Sequence, residues 1–94
     1  MRSYDLTLIL HSGLDETSQE KVLDKIKKII SDAGGKVDKI DEWGKRELAY
    51  PIKKQKEGFY LLLSLELEGK EAKTIEEKLK FEEAVLRHLL VRKE

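Results

Sequence analysis

Phe59-Tyr60-Leu61-Leu62-Leu63-Ser64-Leu65-Glu66-Leu67-Glu68 is the stretch on which the fold turns. Phe59, Leu61, Leu63, Leu65 and Leu67 share one parity; Tyr60, Leu62, Ser64, Glu66 and Glu68 share the other. Successive side chains of a strand point to opposite faces, so this period of two predicts a strand with one face in a core. The second parity is not purely polar. Tyr60 and Leu62 on it predict an apolar area on the far side of the sheet, the kind of clustered exposure that marks a partner surface.

Upstream, Lys53 to Gly58 reads as a polar connection punctuated by Gly58. Before it, Lys36 to Ile52 reads as a long strand whose parity changes between Val37 and Ile40, which predicts a bulge or twist there. Pro51 has no backbone N–H to give a ladder, so this strand lies at a sheet edge or ends near Pro51. Val22, Ile26, Ile29, Ile30 and Ala33 recur at helical spacing among Lys21, Asp24, Lys25, Lys27 and Lys28. Asp15 or Thr17 is the candidate N-cap of that helix, and Gly34-Gly35 its stop. At the start, Tyr4, Leu6, Leu8 and Leu10 alternate with Ser3, Asp5 and Thr7 until His11-Ser12-Gly13 breaks the pattern. Downstream, Gly69 precedes a second helix with Ala72, Ile75 and Leu79 on its apolar stripe, and Val85 to Val91 is the last strand.

The order is therefore β-α-β-β-α-β. Right-handed crossovers turn it into a four-stranded antiparallel sheet, strand order 4-1-3-2, with both helices on one face. This is an α+β fold, a ferredoxin-like split βαβ sandwich. Two narrow helical stripes cover one sheet face, so the other is expected to be open. At 94 residues the chain makes one domain, 1–94.

Composition removes several function classes. Cysteine is absent, so there is no disulfide framework, thiol nucleophile or Cys-based metal site. No apolar run approaches a membrane span of roughly 18 residues, and Met1-Arg2-Ser3-Tyr4-Asp5 enters a strand pattern directly, which points to a cytoplasmic protein without a membrane partner. Charged residues make up 40% of the chain, yet 19 cations balance 19 anions, which argues against coating nucleic acid by bulk charge and leaves room for a local basic patch. There is no Asn, and Gln occurs only at Gln19 and Gln55, a pattern that suits a thermophile protein, an engineered sequence or, equally, chance in a short Lys/Glu-rich chain.

No enzyme constellation emerges. His11 and His88 read as a loop and a strand residue, with no carboxylates at metal-ligand spacing. Glu76-Glu77 and Glu82-Glu83 are neighbours in sequence that do not face each other on a helix. Ser12, Ser18, Ser31 and Ser64 lack a His–carboxylate context, and no Lys-Ser/Thr follows Gly34-Gly35 to make a phosphate loop. The layout resembles acylphosphatase, whose chemistry uses an Arg and an Asn; this chain has no Asn. No catalytic residue, cofactor, metal or small-molecule substrate is expected.

Nucleic-acid binding fits better. Cations gather at Arg2, at Lys45-Arg46 and Lys53-Lys54-Lys56, and at Arg87, Arg92 and Lys93. Arginine suits phosphate and base contacts because its fork bonds bidentately and stacks. Arg87 stands out by interrupting an apolar strand. Arg2 and Arg87 are expected to lie close together, at the end of the sheet where the fourth strand begins. Gly58-Phe59-Tyr60-Leu61 matches an RNA-recognition motif only weakly, since Glu57 stands where a cation is wanted and Leu61 and Leu63 where stacking aromatics would be. Tyr4 and Phe59 share parity with core leucines, and packing is their expected role. Ile9, Tyr60 and Leu62, joined by Leu48, Tyr50 or Ile52, are the candidates for the open face.

The run Trp43-Gly44-Lys45-Arg46-Glu47-Leu48-Ala49-Tyr50-Pro51-Ile52-Lys53-Lys54, followed by Gly58-Phe59-Tyr60, closely resembles the signature of the bacterial small-subunit (30S) ribosomal protein S-six family. Met1-Arg2-Ser3-Tyr4-Asp5 and Ala84-Val85-Leu86-Arg87-His88-Leu89-Leu90-Val91-Arg92 extend the resemblance over essentially the whole chain. It implies a ferredoxin-like fold and a structural role on the ribosome: binding the central domain of small-subunit rRNA together with ribosomal protein S-eighteen. It also implies RNA contacts at Arg2, Arg46, Arg87 and Arg92, and protein-partner contacts at Tyr50, Tyr60 and Leu62. The family's frequent Asp before the fourth strand is replaced here by Phe81-Glu82-Glu83. A second function class stays open: a non-ribosomal ferredoxin-like interaction or regulatory module, including a redesigned member that keeps the fold without RNA binding.

Overall fold

The computed structural model describes residues 1–93 and arranges them as β1 (Arg2–His11), α1 (Glu16–Asp32), β2 (Lys36–Ile52), β3 (Gln55–Leu67), α2 (Ala72–Lys80) and β4 (Val85–Arg92). The strands form one antiparallel sheet in the order β2-β3-β1-β4, the ferredoxin-like split βαβ arrangement expected from the element order.

The central pair sets the core. Leu6 faces Leu63, and Leu8 faces Leu61, across β1 and β3. Leu6, Leu8, Leu10, Leu63, Leu65 and Leu67 meet Ile26 and Ile30 of α1 and Ile75 and Leu79 of α2, all essentially sealed from water. Each fully buried aliphatic side chain contributes about 1.5–3 kcal/mol relative to exposure. Tyr4 is buried in this cluster and Phe59 packs against it, as their parity predicted.

The helix ends follow the sequence signals. Asp15 is the N-cap of α1, accepting a hydrogen bond from the Ser18 backbone N–H at 2.8 Å. Thr17 lies inside the helix. At the other end Gly34 adopts φ +80°, and the Gly35 N–H bonds back to the Ile30 carbonyl at 2.9 Å. A side chain at position 34 would be strained in that left-handed backbone.

The long strand β2 has three irregularities against β3. The first, between Val37 and Lys39, is the bulge the parity change predicted. The second, between Glu42 and Gly44, inserts Trp43 as an extra residue, with Gly44 at φ +80° absorbing the turn of the backbone. The third spans Glu47 to Ile52, where the ladder opens before closing again at Ile52 and Gln55.

Two expectations are corrected here. The polar connection is not Lys53 to Gly58 but the two-residue turn Lys53-Lys54, with φ of 49° and 66°. This is the backbone that a tight hairpin demands, more often supplied by Asn-Gly. Gly58 lies inside β3, where a Cβ would stand 2.5 Å from Ile9 Cγ2 and 3.1 Å from the Leu10 carbonyl oxygen. It is a close-approach glycine rather than punctuation. The second correction concerns Arg2. β1 and β4 run antiparallel, with Tyr4 opposite Arg92 and Ile9 opposite Arg87. Arg2 therefore lies by the end of β4, seven residues along β1 from the position facing Arg87, or about 23 Å at ~3.3 Å per residue.

Candidate functional site

Directly opposed residues in an antiparallel pair project from the same face. Ile9 opposes Tyr60 and Arg87, and Thr7 opposes Leu62 and Leu89. These residues occupy the sheet face opposite to the helices. Val91, opposite Asp5, continues the row along β4.

A second, smaller hydrophobic cluster forms on that face: Ile9, Leu48 and Leu86 are buried, and Ile52 and Tyr60 pack against them. Three local features build it. An irregularity between Ile9 and Leu10 in the β1–β4 register leaves Leu86 beside Arg87. Gly58 has no side chain, so Ile9 and Leu86 close over the space a Cβ would fill. The part of β2 that leaves the ladder after Glu47 brings Leu48 and Ile52 over the sheet.

Around this anchored patch lie large apolar side chains that remain half exposed: Trp43 at 49%, Tyr50 at 56%, Leu89 at 58% and Val91 at 50%. The Trp43 ring stacks on Tyr60. Leu62 is partly buried between them and the β1–β4 side. The apolar surface thus runs from the β2 extension to the β4 edge. A shallow depression lined by Thr7, Ile9, Arg87, His88 and Leu89 marks its β4 side.

The arginines fall into two pairs. Arg46 opposes Gly58 on the open-face parity, and Arg87 opposes Ile9 on the same face. Three strand spacings separate their strands, about 14 Å at ~4.8 Å each. Arg92 opposes Tyr4 and Arg2 lies two residues further along β1, so these two are diagonal neighbours of core parity at the opposite end of the sheet. The Arg2 side chain lies along Gly69, its Cδ and Nε each 3.6 Å from where a Cβ at Gly69 would be.

Charge pairing separates arginine from lysine. Five ion pairs join Glu68 to the N-terminus, Lys25 to Glu82, Lys36 to Asp38, Lys39 to Asp41 and Lys93 to Asp5, at 3.6–3.8 Å. Among the described residues, no arginine enters an ion pair. Arg87 instead donates from Nη1 to the Tyr50 hydroxyl. A planar five-donor fork without a carboxylate remains available for phosphate.

His11 Nδ1 accepts the Gly13 N–H at 3.0 Å, a local turn contact. Among the described residues there is no group of three or more His, Asp or Glu that would hold a metal, and no helix long and apolar enough to cross a membrane.

The residues singled out from sequence are thus partly gathered. Tyr50, Tyr60 and Leu62 share one face with Arg46 and Arg87, while Arg2 and Arg92 sit together elsewhere. Sequence reasoning missed Trp43, Leu89 and Val91 as members of the open face. The Trp43 bulge and the Leu86 irregularity each shift parity by one residue, which hides these positions from a simple alternation.

Comparison with known proteins bears on the family and the fold. The chain matches the family described as Ribosomal protein S6 over residues 3–92. It is 36% identical over 94 residues to the small ribosomal subunit protein bS6 of Carboxydothermus hydrogenoformans, covering all of this chain and 98% of that one. It is 37% identical to the bS6 of Clostridium botulinum strain 657, with both chains covered completely. The crystal structure of 30S ribosomal protein S6 from Thermotoga maritima superposes with a TM-score of 0.91 at 29% identity, covering 98% of this chain and 87% of that one. The chain belongs to the ribosomal protein S6 family of the small ribosomal subunit.

Proposed function

We propose that residues 1–94 act as one ribosomal-protein domain that binds the central domain of small-subunit rRNA together with ribosomal protein S-eighteen, on the cytoplasmic ribosome. In this reading Arg2, Arg46, Arg87 and Arg92 contact the RNA backbone, and Tyr50, Tyr60 and Leu62 dock the protein partner. The role is structural, not enzymatic.

The observation that carries the reading is the state of the arginines. In a chain with 19 acidic residues, none of the four is tied to a carboxylate among the described residues. Two of them, Arg46 and Arg87, lie on the apolar sheet face opposite to the helices, part of which the end of β2 crosses. Phosphate contacts by a few forks fix register without large net charge. Zero net charge limits the RNA affinity of the chain alone. A basic partner seated on the open face supplies the remaining attraction, and binding is then cooperative.

The test is binding to a central-domain rRNA fragment, with and without S-eighteen, at two salt concentrations. The expected result is salt-sensitive binding that appears or tightens only with the partner. Absence of binding in every condition overturns the reading and leaves the family fold as an interaction module.

A further inference from the structure

Arg87 is exposed and stands on the edge strand β4, and among the described residues its side chain makes one hydrogen bond, to a residue three strands away. Its Nη1 donates to the Tyr50 hydroxyl at the far end of β2, although β3 and β1 lie between the two strands. The contact exists because the chain after Glu47 leaves the ladder. Leu48 and Ile52, on either side of Tyr50, are anchored against Ile9, Leu86 and Tyr60. The segment is therefore held across the open face at two points, with Tyr50 between them reaching Arg87.

We propose that Tyr50 is a positioning residue: its hydroxyl holds the Arg87 guanidinium in a fixed orientation for phosphate, and its exposed ring takes the partner's contact. This rests on the functional reading above. A free arginine side chain loses much rotamer freedom when it clamps a ligand, and a pre-set fork loses less. One of the five donors is used by Tyr50, and the others stay available. Because ring and hydroxyl belong to one side chain, a protein seated on the ring acts on the group that orients Arg87. Partner binding and phosphate binding are then linked through a single hydrogen bond, and the linkage is reciprocal.

The experiment is a double-mutant cycle on the full chain with S-eighteen and the central-domain rRNA fragment. Its variants are Tyr50→Phe, Arg87→Ala and the combination, each measured across a salt series. Tyr50→Phe keeps the ring and removes only the hydroxyl. It is expected to weaken RNA binding about three- to tenfold, the scale of one net hydrogen bond, while leaving the salt slope unchanged, since the charge remains. Arg87→Ala is expected to lower the slope by about one. In the Arg87→Ala background Tyr50→Phe should then cost nothing. In the free protein, the Arg87 Nε–Hε NMR signal should broaden or move in Tyr50→Phe.

Additive losses in the double variant overturn the proposal, as does a Tyr50→Phe protein that binds like the wild type while Arg87→Ala does not. If Arg87→Ala binds normally but Arg2→Ala is impaired, the positioning role falls and the ribosomal function stands. Failure of the wild-type protein to bind RNA with or without the partner overturns the functional reading itself.

Discussion

Trp43 and Tyr60 form an offset stack on the open side of the sheet, ring centroids 6.4 Å apart and planes within 7° of parallel. A stack of this kind adds about 0.5–1.5 kcal/mol beyond simple burial. It also leaves half of the indole surface in water, where a partner would cover it. Trp43 is the only tryptophan, so its emission reports this face alone. Adding S-eighteen should shift the emission to the blue and reduce acrylamide quenching. Trp43→Ala should weaken the protein–protein complex by about 1–3 kcal/mol, the range of central aromatic anchors. An unchanged spectrum in a complex verified by size exclusion would place the partner on another surface.

Gly58 of β3 sits where side chains of β1 and β4 converge. A methyl group there would stand 2.5 Å from Ile9 Cγ2 and 3.6 Å from Leu86 Cδ1. Gly58→Ala is expected to destabilise the fold by about 1–3 kcal/mol through overpacking, read from urea or thermal unfolding. Because the collision falls in the cluster that anchors Leu48, the Tyr50–Arg87 contact should loosen as well. A variant as stable as the wild type would mean that Ile9 and Leu86 reorient freely over this position.

Much of this architecture was legible from parity. The Phe59–Leu67 alternation and its counterpart in Tyr4–Leu10 define the core face without further information, and the Val37–Ile40 parity change locates a real bulge. What alternation misses is a register shift produced by geometry elsewhere. Trp43 follows Asp41 onto the open face, and the bulge then turns Gly44 and Arg46 to that same face, so a parity counted back from Leu48 misplaces Trp43; Leu89 and Val91 join it because the β1–β4 register slips beside Leu86. Gly58 misleads for a related reason: a glycine required by close approach looks the same in sequence as a glycine required by a turn. The Arg2 placement failed on direction alone, since two antiparallel neighbours bring the start of one to the end of the other.

The Lys53-Lys54 turn holds two non-glycine residues in the left-handed region. Such a conformation costs roughly 1 kcal/mol or more per residue with a Cβ, and glycine avoids most of it. Lys54→Gly should therefore raise stability by up to about 1 kcal/mol, with an unchanged denaturant m-value. If the same substitution also weakens RNA binding, Lys54 contributes charge at the hairpin tip in addition to closing it. A loss of stability would indicate that this turn is not under backbone strain.

Asp15 gives the fold a pH signature at the start of α1. The Ser18 backbone N–H, the Ser18 hydroxyl and the Lys21 ammonium together hold its carboxyl below the usual carboxylate range. A lowered folded-state pKa means that the capping contribution is present above the unfolded value of about 3.9 and is lost as pH falls through the folded value. Asp15→Ala should lower the melting temperature at neutral pH, and the gap from the wild type should close only below about pH 4. Asp15→Asn, which caps without ionising, should remove that acid-dependent part while keeping most of the neutral-pH stability. A gap that persists unchanged to pH 2 would assign the stabilisation to something other than the ionised cap.

The two arginine pairs make separable demands on an RNA. Arg2 and Arg92 are diagonal neighbours at one end of the sheet, and Arg46 and Arg87 lie on the open face toward the other. Contacts that far apart share no side chain, so their losses should add. Arg2→Ala and Arg87→Ala should each reduce the salt slope of RNA binding by about one, and the double variant by about two. The Arg87→Ala loss should be the more sensitive to S-eighteen if the partner sits on the open face as proposed, because Arg46 and Arg87 border that face and Arg2 and Arg92 do not. Arg2→Ala, by contrast, should cost the same factor whether or not the partner is bound, measured by filter binding at matched salt. If either single variant keeps the full slope, its arginine does not touch a phosphate, and the RNA path across the protein is confined to the other end of the sheet.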